Sequence, residues 1–243
     1  MKYAIISGEY DYASNLSEYG FNVIKTVENK AIQKGISYHA DMNCVRINNK
    51  LFLHKSQLHI ADFLKNEDID ICVINEDFSK EYPKDVPLNI AVFNNTVIAN
   101  RKTALGSIMD FIDKSGGFKV YNVKQGYSAC STLFVSDNAV ITGDDGIYNA
   151  IKQDFDVLKI SNEGIFLNGY NNGFIGGSAK LIEKDTMLFF GDIKAHKDYD
   201  NIKLFLSNHN VNIECFGGVL QDIGGVVLLR LPTSSNDNKC IES

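Results

Sequence analysis

Hydrophobic and polar positions along the chain change in short runs, and the runs come in a fixed order. Residues 2–7 alternate apolar β-formers up to Gly8 and predict a strand; 14–19 form a short amphipathic helix stopped by Gly20; 21–25 predict a second strand. Residues 31–36 carry no usable period. From Tyr38 the order is strand, turn, strand, helix, strand: 44–47, the turn Asn48-Asn49, 51–54, a helix over 57–64, and 69–74. Asparagine suits such a turn because it tolerates positive φ.

The same order then recurs. A second copy has strands at 90–93 and 97–99 around Asn94-Asn95, a helix over 103–112 and a strand at 118–122. The third, the clearest, has 132–135, Asp137-Asn138, 140–142, a helix near 146–152, and 157–160. The fourth has 179–182, Lys184-Asp185, 187–190, a helix over 199–206, and 212–216. A fifth begins at 226–229, and its missing strand, helix and strand are those at 2–25. The middles of the five first strands, Val45, Ala91, Phe134, Leu181 and Val226, are 43 to 47 residues apart.

Self-similarity at a fixed period constrains architecture strongly. It predicts an α/β fold, a five-bladed α/β propeller of pseudo-fivefold ββαβ repeats, its ring closed by pairing the N- and C-terminal strands. Closure removes the exposed edges that five small sheets would carry. A doubly wound α/β sheet with irregular insertions also alternates strands and helices, and the regular Asn-rich turns favour the ring. The reading gives one domain over 1–231 and a polar tail over 232–243.

Composition narrows the classes. The chain has 243 residues, 44% of them hydrophobic, and a formal net charge of −6, with no Lys/Arg run. Nucleic acid is therefore not an expected partner. No stretch of about eighteen apolar residues occurs, so no membrane span is expected and a cytoplasmic location is. Five scattered cysteines without a CxxC pair indicate neither a disulfide framework nor a zinc site. No P-loop, Rossmann fingerprint or His-Glu-x-x-His occurs, and no metal or other cofactor is expected. The composition is compatible with a homodimer.

In a ring, the residues entering each first strand meet near the axis. Four residues before the aligned positions stand Asp41, Pro87, Cys130, Gly177 and Asp222. Two carboxylates and a thiol at equivalent positions do not make a core pattern. Around them lie His39 and Asn43, Lys124, Gln125 and Tyr127, Asn172, Gly176-Gly177, Gly217-Gly218, Gln221 and Gly224-Gly225. The glycines let backbone approach either a ligand or a crowded axis.

The five-unit arrangement and residues 39–43 resemble the pentein fold of arginine and agmatine deiminases, dimethylarginine hydrolases and amidinotransferases, and a clostridial-type group within it. In many of those enzymes a first-blade aspartate of an Arg-Asp-Met-Gly phrase binds the guanidino group, and Asp41-Met42-Asn43 is similar. Their last blade carries Gly-Gly-x-x-His-Cys, with the cysteine as nucleophile. Residues 217–222 are similar in spacing but end in Gln221-Asp222, so this chain departs from the covalent mechanism at that position.

Three readings follow. In one, Asp41 and Asp222, with Asn43, Lys124, Gln125, Tyr127, Asn172 and Gln221 nearby, hold a small polar, cationic guanidino or amino metabolite. In another, Cys130 is a relocated nucleophile of a guanidino C–N hydrolase or amidinotransferase-like enzyme. Its pKa is then lowered by Lys124, and His39 or Asp222 takes its proton. In the third, the chain is a non-catalytic protein-interaction module. His196-Lys197-Asp198 reads as surface or helix-capping, and Asp144-Asp145 as a helix cap.

Overall fold

The structure, a computed structural model, describes residues 1–230. The expected tail at 232–243, with Cys240, lies outside the described residues. Strand β1 (Lys2–Ile6), helix α1 (Ala13–Glu18) and β2 (Asn22–Lys25) come first. Then follow α2 (Ala40–Asn43), β3 (Cys44–Ile47), β4 (Lys50–His54), α3 (Leu58–Leu64) and β5 (Asp70–Ile74). The next unit is β6 (Ala91–Phe93), β7 (Thr96–Ala99), α4 (Gly106–Ser115) and β8 (Lys119–Asn122); then β9 (Thr132–Ser136), β10 (Ala139–Thr142), α5 (Asp145–Ile151) and β11 (Asp156–Lys159). The last contains α6 (Ile175–Ser178), β12 (Ala179–Glu183), β13 (Thr186–Phe189), α7 (Tyr199–Asn208) and β14 (Asn212–Cys215), and β15 (Val227–Arg230) ends the described chain.

These strands make five sheets of three strands each, which fit a five-repeat arrangement. In each unit the hairpin is antiparallel and the third strand runs parallel to the middle one. Parallel neighbours need a crossover, and the helix supplies it. The terminal sheet has the order β15-β1-β2, with Lys2 opposite Arg230 and Ile5 opposite Val227, so both ends of the described chain share one sheet. No sheet among the described residues exceeds three strands, which overturns the doubly wound alternative.

Successive side chains of a strand point to opposite faces, and here both faces are covered. On β4, Leu51 and Leu53 pack with Tyr3 and Ile5 of the terminal sheet, while Phe52 packs with Val97 and Ala99 of the next. On β7, Ile98 turns the other way, toward Phe134 and Val140. Leu133 and Val135 meet Met187 and Phe189; Leu188 meets Ala4 and Ile6, which leads back to the terminal sheet. The five apolar clusters thus join each sheet to two neighbours. The middle strands read as unbroken apolar runs because neither face meets water.

Turn chemistry differs between units. Asn48 and Asn94 open their hairpins at φ of 54° and 47°, the conformation asparagine accepts. The hairpins at Asp137-Asn138 and Lys184-Asp185 instead carry register irregularities, between Ala139 and Val140 and between Leu181 and Glu183. The helix expected from Thr103 begins at Gly106, because the Thr103 and Ala104 N–H groups donate to Asn100 O and form a separate turn. Short helices α2 and α6 have no counterpart in the sequence pattern; each is a single turn that feeds a first strand. Among the described residues no helix is long and apolar enough to cross a membrane.

Candidate functional site

The connections between sheets, 26–43, 75–90, 123–131, 160–178 and 216–226, converge and bond to one another. The Asp41 N–H donates to Gly224 O (3.1 Å), the Gly176 N–H to Cys130 O (2.7 Å), and the Ile223 and Gly225 N–H groups both to Gly177 O (3.0 Å each). Asn89 Oδ1 accepts from the Ala129 and Cys130 N–H groups, at 2.8 and 3.3 Å. Every connection contributes a residue to one buried cluster.

Asp41, Cys130, Asn89 and Asp222 are 7%, 3%, 2% and 1% exposed, so they meet in the interior. The Cys130 thiol donates to Asp41 Oδ2 at 3.0 Å, and Asn89 Nδ2 donates to Cys130 Sγ at 3.0 Å. Asp222 accepts the Gly224 N–H on Oδ1 and the Phe174 N–H on Oδ2, both at 2.9 Å. His39 Nδ1 lies 3.9 Å from Asp222 Oδ1, too far for a hydrogen bond. Both His39 ring nitrogens, Asp41 Oδ1, Ser131 Oγ and Thr132 Oγ1 are buried without a partner. Gly177 is required here because a Cβ would collide with the Asp222 carboxylate, and Gly224, at φ +78°, because a Cβ would overlap the His39 ring.

Burial dominates the electrostatics, since it disfavours every charged form. It pushes the Asp41 pKa well above the usual carboxylate range, with Asp222 adding like-charge repulsion and the Cys130 hydrogen bond opposing. The Asp222 pKa is raised by burial against the pull of His39 and two backbone N–H groups. His39 is pushed down, toward the neutral imidazole. Burial, then Asp41, then Asp222 push Cys130 up, which holds it as a thiol. Half-buried Lys180, on β12, is the cation that favours ionised Asp41, and burial lowers its own pKa.

Of the five aligned positions the structure brings Asp41, Cys130, Gly177 and Asp222 together, and His39, two residues before Asp41, lies beside Asp222. Pro87 does not join them; Asn89, two residues on and the repeat counterpart of Asn43, takes its place. Lys124 does not lower the Cys130 pKa: it is exposed and absent from the influences on that thiol, which is raised. Asn43 is fully buried and occupied, donating to Ser37 O (3.0 Å) and His39 O (2.8 Å) and accepting from Asn29 and Gln57. It holds the turn that presents His39 and Asp41. Gln125 is likewise spent on Asp144 and the Tyr127 N–H, and Tyr127 donates to Asp85 while stacking between Tyr82 and Phe174. Gln221 donates to Tyr12 Oη, and Asn172 is exposed. Asp144 caps α5 as expected, through the Ile147 N–H at 2.8 Å. Asp198 makes no side-chain cap; it accepts the Ser161 N–H at 2.8 Å instead.

Replacing Asn89 by alanine is expected to cost about 2–4 kcal/mol, because the Ala129 and Cys130 N–H groups and the Cys130 sulfur lose one shared partner in a buried site. Chemical denaturation of the two proteins checks this; a change below about 0.5 kcal/mol contradicts the role given to Asn89.

Five small sheets of ββαβ units whose connections meet at one cluster define a pentein-like α/β fold, and solved structures agree. An amidinotransferase from Microseira wollei in the saxitoxin biosynthetic pathway is similar at a TM-score of 0.60, with 10% identity over 92% of this chain and 82% of that one. An inosamine-phosphate amidinotransferase from Streptomyces griseus follows at 0.58, 10% identity, 91% and 79%. A dimethylarginine dimethylaminohydrolase from Pseudomonas aeruginosa, complexed with citrulline, gives 0.55, 10% identity, 94% and 98%. At such identity the likeness is one of fold. By sequence the chain belongs to a family described as a family of unknown function, DUF6873, matched over residues 5–227. No curated protein matches it.

Proposed function

We propose that the five sheets are blades of a closed propeller, and that the chain binds a small cationic metabolite, a guanidino or amino compound, at the cluster on its axis. The observation that carries this reading is the set of buried polar atoms without a partner: Asp41 Oδ1, with the two His39 ring nitrogens nearby. A native interior rarely leaves such atoms unpaired without a functional reason. A cation with N–H donors supplies what Asp41 lacks and favours its ionised form. The structural relatives named above are amidinotransferases and a dimethylarginine dimethylaminohydrolase, and the proposal carries their ligand class over to this chain.

In this reading Asp222 is a positioning residue. Both of its oxygens accept backbone N–H groups, so it shapes the site and adds negative potential, while Asp41 receives the ligand. Covalent chemistry is not part of the proposal, because Cys130 is held as a thiol and no imidazole hydrogen-bonds to it. A second reading rests on the 3.0 Å contact between Cys130 Sγ and Asp41 Oδ2: a carboxylate in contact with a thiol has the geometry to take its proton and release a nucleophile for C–N cleavage or amidino transfer.

Cys130→Ser separates the two. The binding reading expects the variant to keep the ligand-induced stabilisation, about 2.7 kcal/mol at a hundredfold excess over Kd, or about 5–10 °C in Tm for a chain of this size. It also expects no release of ammonia, amine or urea from guanidino compounds by either protein. Turnover by the wild type that Cys130→Ser abolishes sinks the binding-only reading. No stabilisation by any guanidino or amino compound sinks both and favours a protein-interaction module.

A further inference from the structure

The connection from β11 to α6 contains a segment that the proposed binding does not use. Its start is anchored: the Ser161 N–H donates to Asp198 Oδ2 (2.8 Å), His196 Nε2 bonds Ser161 O (3.1 Å), and Lys197 pairs with Glu163. Its end is anchored as well. The Phe166 N–H donates to Leu220 O (2.9 Å), the Asp222 N–H to Phe166 O (2.8 Å), the Gly173 N–H to Ile165 O (2.7 Å), and the Phe174 N–H to the Asp222 carboxylate. Between these roots, residues 168–172 are all exposed, and Gly164 and Gly169 take φ of +89° and +82°.

Two features hold this tip down. Leu167, 4% exposed, packs into the apolar cluster that contains Met42 and Cys130. The Tyr170 hydroxyl donates to Gln33 Oε1 (2.7 Å), and Gln33 Nε2 donates to Lys80 O (2.9 Å). Gly35 lies against Asn168 O and the Tyr170 ring, with no room for a side chain. The tip therefore reaches from the Asp222 side of the cluster to the segment that leads into His39.

We infer that residues 167–172 are a strap closed over the Asp41–Cys130 cluster, with the Gln33–Tyr170 hydrogen bond as its latch and Leu167 as its plug. The inference rests on the proposed binding only for what passes beneath the strap. Closure without a ligand leaves Asp41 Oδ1 and the His39 nitrogens unpaired, which disfavours the closed form. The latch hydrogen bond and the burial of Leu167 hold the strap down against that. Opening is thus a local event, cheaper than unfolding, because the roots at Ser161 and Phe174 stay bonded. A ligand that pairs the orphaned atoms removes the penalty and holds the strap shut over a dry site.

Cys130 itself reports the strap's position. The full chain is treated with iodoacetamide and the alkylation rates of Cys130 and Cys44 are followed by peptide mass spectrometry. Cys44, equally buried but in the cluster between the terminal sheet and its neighbour, reports general opening. Gln33→Ala and Tyr170→Phe are each expected to raise the Cys130 rate about three- to tenfold, as loss of one hydrogen bond implies, and to leave Cys44 unchanged. Bridging a Gln33→Cys/Tyr170→Cys pair with a bifunctional thiol reagent before alkylation is expected to slow Cys130 at least tenfold relative to the unbridged pair. The inference is overturned if Cys130 and Cys44 rates move together, or if bridging leaves the Cys130 rate unchanged. Neither result depends on a ligand, so failure of the strap and failure of the binding proposal are told apart.

Discussion

Gly176→Ala is expected to be the most damaging single substitution near the site, with a loss on the order of 4 kcal/mol and a Tm lower by about 8–16 °C. A Cβ on Gly176 would stand 2.5 and 2.7 Å from the carbonyl oxygens of Thr132 and Cys130, and closer still to that of Ala129. Real Cβ atoms do not approach oxygens so closely, and these three cannot step aside. Ala129 and Cys130 are tied by their N–H groups to Asn89, and Cys130 O accepts the Gly176 N–H. The clash must move backbone across two connections at once. Gly106, at the first turn of α4, faces open space where a Cβ would go, so Gly106→Ala is the control and is expected to be neutral or slightly stabilising. Thermal unfolding of the two variants checks the contrast.

Asp41→Asn is expected to raise stability and abolish binding together. Asp41 holds its proton more tightly in the folded protein than in the unfolded chain, where its pKa is near 3.8. Folding therefore takes up a proton as pH rises past 3.8. The stability tied to Asp41 is full below that value and is lost as pH rises through the folded pKa. Asp222 is raised too and acts in the same direction. His39 is lowered, so its contribution is present above its ordinary 6.5 and is lost as pH falls through the folded value. Asparagine cannot ionise, and its Oδ1 still accepts the Cys130 thiol. The variant is expected to gain about 1–3 kcal/mol at about pH 7–8 and to lose stability less steeply with rising pH. Removing the carboxylate from a buried charge pair costs about 2–5 kcal/mol in ligand affinity, about thirtyfold or more in Kd. Denaturant midpoints across pH, with and without ligand, measure both effects.

The repeat was legible because its sheets are covered on both faces. That burial writes unbroken apolar runs such as residues 51–53 and 139–141 into the chain, and the crossover helices fix their spacing. The convergence of Asp41, Cys130 and Asp222 was legible from the same period. Asn89 was not, because the equivalent position in its unit is Pro87, which has no donor. The buried asparagine two residues further on repeats Asn43 and was the available signal. The direction of the Cys130 pKa was not legible, because it depends on three-dimensional burial while Lys124 is near only in sequence. Nor was the strap: residues 161–174 have no period, and what orders them, Asp222, Gln33 and Asp198, lies far from them along the chain.

The proposed role of Asp41 as the acceptor of a cation is tested most directly by calorimetric titration. Wild type and Asp41→Asn are titrated with a guanidino or amino compound in two buffers of different ionisation enthalpy at one pH. The prediction is that the wild type binds with release of up to one proton, since a cation favours the ionised form of a carboxyl whose pKa burial raises. The variant is expected to show neither the binding nor the proton. Equal affinity and equal heat in both proteins, or binding by the wild type with no proton release, would contradict the account.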